Sequence, residues 1–192
     1  AAAAASLAAL RSPIFVLFLE ALTGIAGLQP DPANFGGGQH VMLRNSSLPI
    51  HADFNLRHVR GSLLHRRVGA ILFLNARWDT RAWGGALELW ARDMRACEAR
   101  IAPERNRLVV FAGTDFTYHG VAEPLRCPPE RARRSLVMYY YTARRPADEA
   151  LADGLEKRIE ELEAEGRNNT NRSSSSKAGV PKVEIRRNAV SY

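Results

Sequence analysis

The stretch LPIHADFN, residues 48–55, sets a histidine and an aspartate two residues apart inside an apolar run. In an extended strand, side chains alternate between faces. His51 and Asp53 then share one face, while Ile50, Ala52 and Phe54 take the other. One face packs; the other carries two metal ligands side by side. A third ligand has to come from elsewhere in the chain. The five histidines are His40, His51, His58, His65 and His119. Only His119 follows a strong strand pattern, in RLVVFAGTDFTYHGV, and a rolled sheet can return it to His51 and Asp53. His58 and His65 lie among arginines in NLRHVRGSLLHRR and, like His40, read as rim or surface residues.

Two imidazoles and one carboxylate on one face of an octahedral metal leave three positions open, which is how non-haem Fe(II) centres accommodate a chelating cosubstrate and dioxygen together. The later stretch RRSLVMYYY adds an anchor. Alternation places Arg133, Ser135, Val137 and Tyr139 on one face, and Arg134, Leu136 and Met138 on the other. A guanidinium pointing inward is costly unless it meets an anion, and its fork fits a carboxylate bidentately. Ser135 beside it can donate one more hydrogen bond. Metal ligands and anchor together suit a dicarboxylate, chelated at one end and gripped at the other. A register slip of one residue would hand the role to Arg134; the shared face with Ser135 favours Arg133.

The elements that must position these groups are mainly strands. Val41 to Thr142 is built of short apolar runs, of which VGAILFLN, GGALELW, NRLVVFAG and RSLVMYYYT are the clearest. They are rich in β-branched and aromatic residues, and turns rather than long helical patterns separate them, as in a sandwich or jelly roll. Ahead of them Ser12 and Pro13 open a helix as N-cap and first residue, with Gly24 or Gly27 near its stop. QPDPANFGGGQH is a loop. The alanine-rich residues 1–11 are low complexity and stand outside the fold expectation. Beyond Pro146, Leu151, Leu155, Ile159 and Leu162 recur at helical spacing within residues 147–166, and residues 167–192 are a polar tail. The domain carrying the chemistry is therefore expected over residues 12–146.

Of 192 residues, 46% are hydrophobic and 24% charged, the profile of a globular protein, with a formal net charge of +7. The basic balance does not point to nucleic acid, because arginines are interspersed with acids and no recognition helix or aromatic RNA-binding signature accompanies them. The apolar N-terminal run is interrupted by Arg11, Pro13 and Glu20, against a membrane span. Cys97 and Cys127 form no framework, in keeping with a reducing, cytoplasmic setting. No G-x-S-x-G, phosphate loop or dinucleotide fingerprint is present. Trp78, Trp83 and the glycines of WGGALELW read as packing and turn residues, Asn75 as a turn residue, and Tyr139 to Tyr141 as strand formers.

Four blocks in order, HADFN, GAILFLNARWDTRAWGGALELW, IAPERNRLVVFAGTDFTYHGV and RRSLVMYYYT, resemble the Fe(II)/2-oxoglutarate-dependent oxygenases of the prolyl 4-hydroxylase type, bacterial single-domain members included. The resemblance spans most of residues 13–146. It implies a double-stranded β-helix, the cupin-like jelly roll, mainly β with flanking helices. It implies Fe(II) held by His51, Asp53 and His119, and 2-oxoglutarate held by Arg133 and Ser135. It further implies O2 as second cosubstrate, ascorbate as a reductant, and hydroxylation of an unactivated C–H with release of succinate and CO2. The retained carboxylate of Asp53 favours hydroxylation over halogenation, which needs a small residue there. Phe73 stands where oxygen-sensing relatives place a tyrosine against the cosubstrate. The expected substrate is amino-acid-like, peptidyl (prolyl) or a small biosynthetic molecule; no nucleic-acid or membrane partner is expected, and Leu151 to Glu165 is where a homodimer contact would lie. The alternatives are a cupin-like metalloenzyme that does not use 2-oxoglutarate, with no need of Arg133, and a non-catalytic jelly-roll binding protein.

Overall fold

A computed structural model describes residues 2–59 and 61–149 of the chain. Two helices lead: α1 (Ala2–Leu10) and α2 (Pro13–Thr23). The caps of α2 follow from its sequence. Ser12 Oγ accepts from the Phe15 N–H at 3.3 Å, Pro13 supplies the preset φ of the first turn, and Gly24 closes the helix at φ 72°, donating to the Glu20 carbonyl. The alanine-rich start differs from expectation. It forms α1, whose Leu10 is buried and whose Ala3 and Leu7 pack on the core. The Tyr140 hydroxyl donates to the Leu10 carbonyl at 2.6 Å. Low complexity describes the composition of this segment and says nothing against burial, since alanine is both the best helix former and small enough for close packing.

Among the described residues ten strands follow, with one short helix among them: β1 (Gln29–Pro30), β2 (Gly38–Met42), β3 (Leu48–His51), β4 (Leu56–Val59), β5 (Ser62–Phe73), α3 (Thr80–Trp83), β6 (Leu87–Trp90), β7 (Cys97–Ile101), β8 (Leu108–Ala112), β9 (His119–Val121) and β10 (Arg133–Thr142). They form two antiparallel sheets. In the larger, β10 and β5 are central, flanked by β1, β2, β4 and β8; the smaller runs β3-β9-β6-β7. This is the rolled antiparallel architecture that the strand-rich pattern predicts.

Alternation along β10 divides the core. Leu136, Met138 and Tyr140 face α1 and α2 together with Val68 and Ala70 of β5. Val137, Tyr139 and Tyr141 face the space between the sheets, with Ile71, Phe73, Val109 and, from the smaller sheet, Leu87. Each such large apolar side chain, fully buried, contributes about 1.5–3 kcal/mol. Phe73 and Leu19 are both completely inaccessible. The helices thus support the outside of the larger sheet, and the interior between the sheets is left to hold chemistry.

On its other side α2 exposes Ile14, Leu17, Phe18 and Leu22. No single helix among the described residues is long and apolar enough to cross a membrane. The chain after β10 passes through a one-turn 3-10 helix, Ala147–Glu149, where Glu149 accepts two hydrogen bonds from Arg67 at 3.1 and 3.0 Å. Apart from those three residues, the helix expected over 147–166 lies outside the described residues, as does the tail 167–192.

Candidate metal centre

β3 ends at His51, so Asp53 does not lie on a strand as the alternation argument assumed. The chain leaves extended geometry there, and the carboxylate still turns to its neighbour: His51 Nε2 lies 3.5 Å from Asp53 Oδ1. The third ligand comes through strand pairing. β9 runs antiparallel to β3 with His119 directly opposite His51, and the ring centroids are 4.7 Å apart. His119 Nε2 lies 3.8 Å from Asp53 Oδ2, and one ligand atom from each of the three residues falls within 4.8 Å of the others. The close approach of β3 and β9 depends on Gly120, where a Cβ would stand 2.6 Å from the Leu48 carbonyl oxygen and 2.8 Å from that of Pro49.

Each imidazole is oriented by a backbone carbonyl. His51 Nδ1 lies 2.8 Å from Pro49 O, and His119 Nδ1 lies 3.0 Å from Thr117 O. A carbonyl only accepts, so Nδ1 carries a proton in both rings, and in the neutral form of each the Nε2 lone pair faces the other ligands. Asp53 Oδ2 is buried and receives no hydrogen bond. Arg66 Nη1 comes within 2.9 Å of it, with N–H bonds that do not point along that line, so the contact is an ion pair. Two imidazole nitrogens and one carboxylate, brought together from two separate segments of the chain, are a donor set that fits Fe(II).

The charges of the cluster reinforce this. Burial alone would push Asp53 up, but its hydrogen bond with His51 and the nearby Arg66 and His119 together hold it below the ordinary carboxylate value. The same hydrogen bond raises His51. Burial lowers His119, against the pull of Asp53. Tyr139 is raised by burial and then by the Asp53 charge.

Arg133 is 5% exposed and Ser135 1%, whereas Arg134 faces solvent. The Arg133 side chain enters the interior. Its Nε donates to the Gly85 carbonyl at 2.8 Å, Nη1 lies 3.6 Å from Met42 Sδ, and the guanidinium stacks 4.9 Å from the Phe73 ring centroid. No carboxylate pairs with it among the described residues, and burial depresses it below the ordinary arginine range, to about 10. Gly85, at φ 82°, is the second glycine of WGG; a Cβ there would meet Leu125 at 2.9 Å and Arg133 Cδ at 3.2 Å. Asn75 is more than a turn residue. Its amide donates to the carbonyls of Pro103 and Arg134, and its oxygen accepts the Arg134 N–H at 2.6 Å, clamping the start of β10. Trp78 and Trp83 stack edge to face beside this corner.

Two features escaped the sequence reading. Arg66 stood only among the arginines of NLRHVRGSLLHRR, with Arg67 beside it. Asn55, at the end of HADFN, donates to Asp115 at 2.9 Å, and Arg145 grips the same carboxylate at 2.8 and 3.0 Å. This network ties the loop carrying Asp53 to the loop preceding His119. The available signal was a polar residue two positions past Asp53, in step with His51 and Asp53. His40 pairs with Ser135 across β2 and β10 and feels both Arg133 and Asp53. His58 and His65 are not among the clustered ligands. A groove of about 470 Å³ is lined by Asp31, Arg57, Leu64 and Tyr141 among others, and by none of the clustered ligands.

A family model described as the 2OG-Fe(II) oxygenase superfamily matches residues 37–141, which contain all five residues named above as ligands and anchor. No curated protein matches. Among solved structures, the chain is similar to a prolyl hydroxylase from Trichoplax adhaerens in complex with a hypoxia inducible factor oxygen degradation domain peptide (21% identity, 61% of this chain and 45% of that one, TM-score 0.42). It is also similar to a Pseudomonas putida prolyl-4-hydroxylase (25%, 55% and 51%, TM-score 0.39). A prolyl 4-hydroxylase from Phytophthora capsici is a third (20%, 69% and 41%, TM-score 0.47). The chain therefore spans about half or less of the length of these proteins.

Proposed function

The chain belongs to the 2OG-Fe(II) oxygenase superfamily, and from that premise we propose a hydroxylase acting on an unactivated C–H bond of an amino-acid-like, peptidyl or small biosynthetic substrate. His51, Asp53 and His119 would hold the iron, and Arg133 with Ser135 the distal carboxylate of 2-oxoglutarate. When bound, the iron supplies a centre at which 2-oxoglutarate and O2 become succinate, CO2 and one oxygen atom delivered to the substrate. The chain's own part is positioning and electrostatics. In the neutral rings the carbonyls at Nδ1 fix the tautomer that leaves both Nε2 atoms able to ligate. Asn75 and Gly85 fix where β10 delivers the guanidinium. Phe73 presents a ring face to the Arg133 guanidinium where a hydroxyl contact would otherwise stand, leaving the fork to the bound anion. Tyr139 and Tyr141 wall the interior next to the ligands.

The observation that carries this reading is the buried guanidinium of Arg133, with no carboxylate partner among the described residues, on the strand face that looks between the sheets. A metalloprotein that does not use a dicarboxylate would have no reason to keep an unpaired charge there. The test is anaerobic titration of the apoprotein with Fe(II) and 2-oxoglutarate. A visible charge-transfer band requiring both components, and absent in His51→Ala, is expected. Iron binding with no band at any 2-oxoglutarate concentration would leave a metalloprotein of another class.

A further inference from the structure

We propose that Arg66 holds one oxygen of the Asp53 carboxylate, so that this ligand can offer a metal only its other oxygen and a coordination position stays free for the cosubstrate. The inference rests on the metal centre proposed above.

Strict alternation along β5 would turn Arg66 outward. Phe73 and Ile71 face the interior, whereas Ala70 and Val68 face the helices, and Arg66 continues the outward series. A bulge breaks the series. Val68 pairs with Tyr140, yet Tyr141 pairs with Arg66, so Arg67 is the extra residue. A bulge re-aims the side chains that follow it, and here it turns Arg66 inward. The side chain is then fixed on three sides. Its guanidinium lies 3.7 Å from the Tyr139 ring centroid. Nε and Nη2 both lie 3.3 Å from the Tyr141 hydroxyl. Its backbone N–H donates to the Asn55 carbonyl at 2.7 Å, tying it to the segment that carries Asp53. What remains, Nη1, stands 2.9 Å from Asp53 Oδ2, while Oδ1 is on the His51 side at 3.5 Å. Arg67, the other member of the pair, is occupied by Glu149.

The consequence is one of counting positions. A carboxylate can ligate through one oxygen or both. Two histidines and a single carboxylate oxygen leave three of six octahedral positions, enough for a chelating 2-oxo acid and one more small molecule. A second Asp53 oxygen on the metal would remove one of them. Arg66 opposes that by holding Oδ2 electrostatically. It acts through Asp53 and is a positioning residue.

The experiment compares wild type, Arg66→Met and Arg66→Lys, all anaerobic, in two binding measurements: Fe(II) affinity alone, and 2-oxoglutarate affinity at saturating Fe(II) from the charge-transfer band. Arg66→Met should bind Fe(II) as tightly as wild type or tighter, because Asp53 can then chelate. It should lose about tenfold or more in 2-oxoglutarate affinity, the usual range for groups that orient a ligand. Arg66→Lys should recover most of that loss by restoring a charge at Oδ2. Unchanged 2-oxoglutarate affinity in Arg66→Met overturns the proposal. So does a parallel loss of both affinities that lysine does not rescue, the mark of a purely structural role. If Arg66→Met does not fold, Arg66→Gln replaces it with the same expectations. Absence of Fe(II) binding in wild type would instead remove the metal centre itself, and the role of Arg66 with it.

Discussion

Replacing Arg133 by methionine should move stability and cosubstrate binding in opposite directions. The guanidinium is 5% exposed, and its protein contacts are the Gly85 carbonyl, Met42 Sδ and the Phe73 ring, none of them anionic. Its depression by burial from the ordinary arginine range to about 10 corresponds, at about 1.4 kcal/mol per tenfold, to a charge disfavoured by roughly 3 kcal/mol in the ligand-free protein. Methionine fills a similar volume without a charge. The ligand-free variant should therefore be as stable as wild type or more so, as found when buried ions are replaced by apolar residues. In the complex the balance reverses. Truncating one partner of a buried, hydrogen-bonded charge pair costs about 2–5 kcal/mol, or roughly 30-fold to several thousand-fold in affinity. Urea unfolding of the apoprotein gives the first quantity, and anaerobic 2-oxoglutarate titration of the Fe(II) form gives the second. An Arg133→Met protein that is several kcal/mol less stable yet binds 2-oxoglutarate normally would refute the reasoning, because the guanidinium would then serve the fold and not the ligand.

Three further outcomes follow from the same geometry. His51 is raised by its bond to Asp53, so in the metal-free protein that bond contributes stability fully present below pH 6.5 and lost as pH rises through the folded value; Asp53 is depressed and contributes stability present above its ordinary 3.8 and lost as pH falls through the folded value. Protons on His51 compete with metal, so the rise in Tm produced by Mn(II) should grow between about pH 6 and 8, and a flat profile by scanning fluorimetry would contradict this. Gly85→Ala places a methyl 2.9 Å from Leu125 at φ 82°; it should cost about 1–3 kcal/mol in urea unfolding and also weaken 2-oxoglutarate binding by shifting Arg133, and a loss of stability alone would separate Gly85 from the anchor. Tyr140→Phe leaves the buried Leu10 carbonyl without its donor at 2.6 Å, with an expected loss of about 1–3 kcal/mol; no change would mean that α1 does not depend on that bond.

Much of the site was legible in the linear chain because it depends on near neighbours. The faces of β10 follow from alternation alone, and Arg133, Ser135, Val137 and Tyr139 lie on the interior side with Arg134 in solvent. The start of α2 follows from Ser12 and Pro13, whose cap geometry is decided within one turn. The pairing of a histidine and a carboxylate in HADF is equally local, although the strand that justified it stops at His51.

Other features are properties of the folded sheet only. His119 reaches His51 because β9 docks in one register on β3, which takes a glycine at 120 and two sheets packed on a common core. α1 is buried because α2 and β10 present it with an apolar surface; nothing in an alanine run says whether such a surface exists. The inward turn of Arg66 is the clearest instance. Period-two reasoning assigns it to the outer face, and one unpaired residue opposite Tyr140 and Tyr141 reverses the assignment. A bulge arises where two strands must match twist and length to each other, so it is written in neither strand separately. Local sequence thus determined which groups could do chemistry, and long-range pairing, driven by burial between the sheets, decided which of them meet.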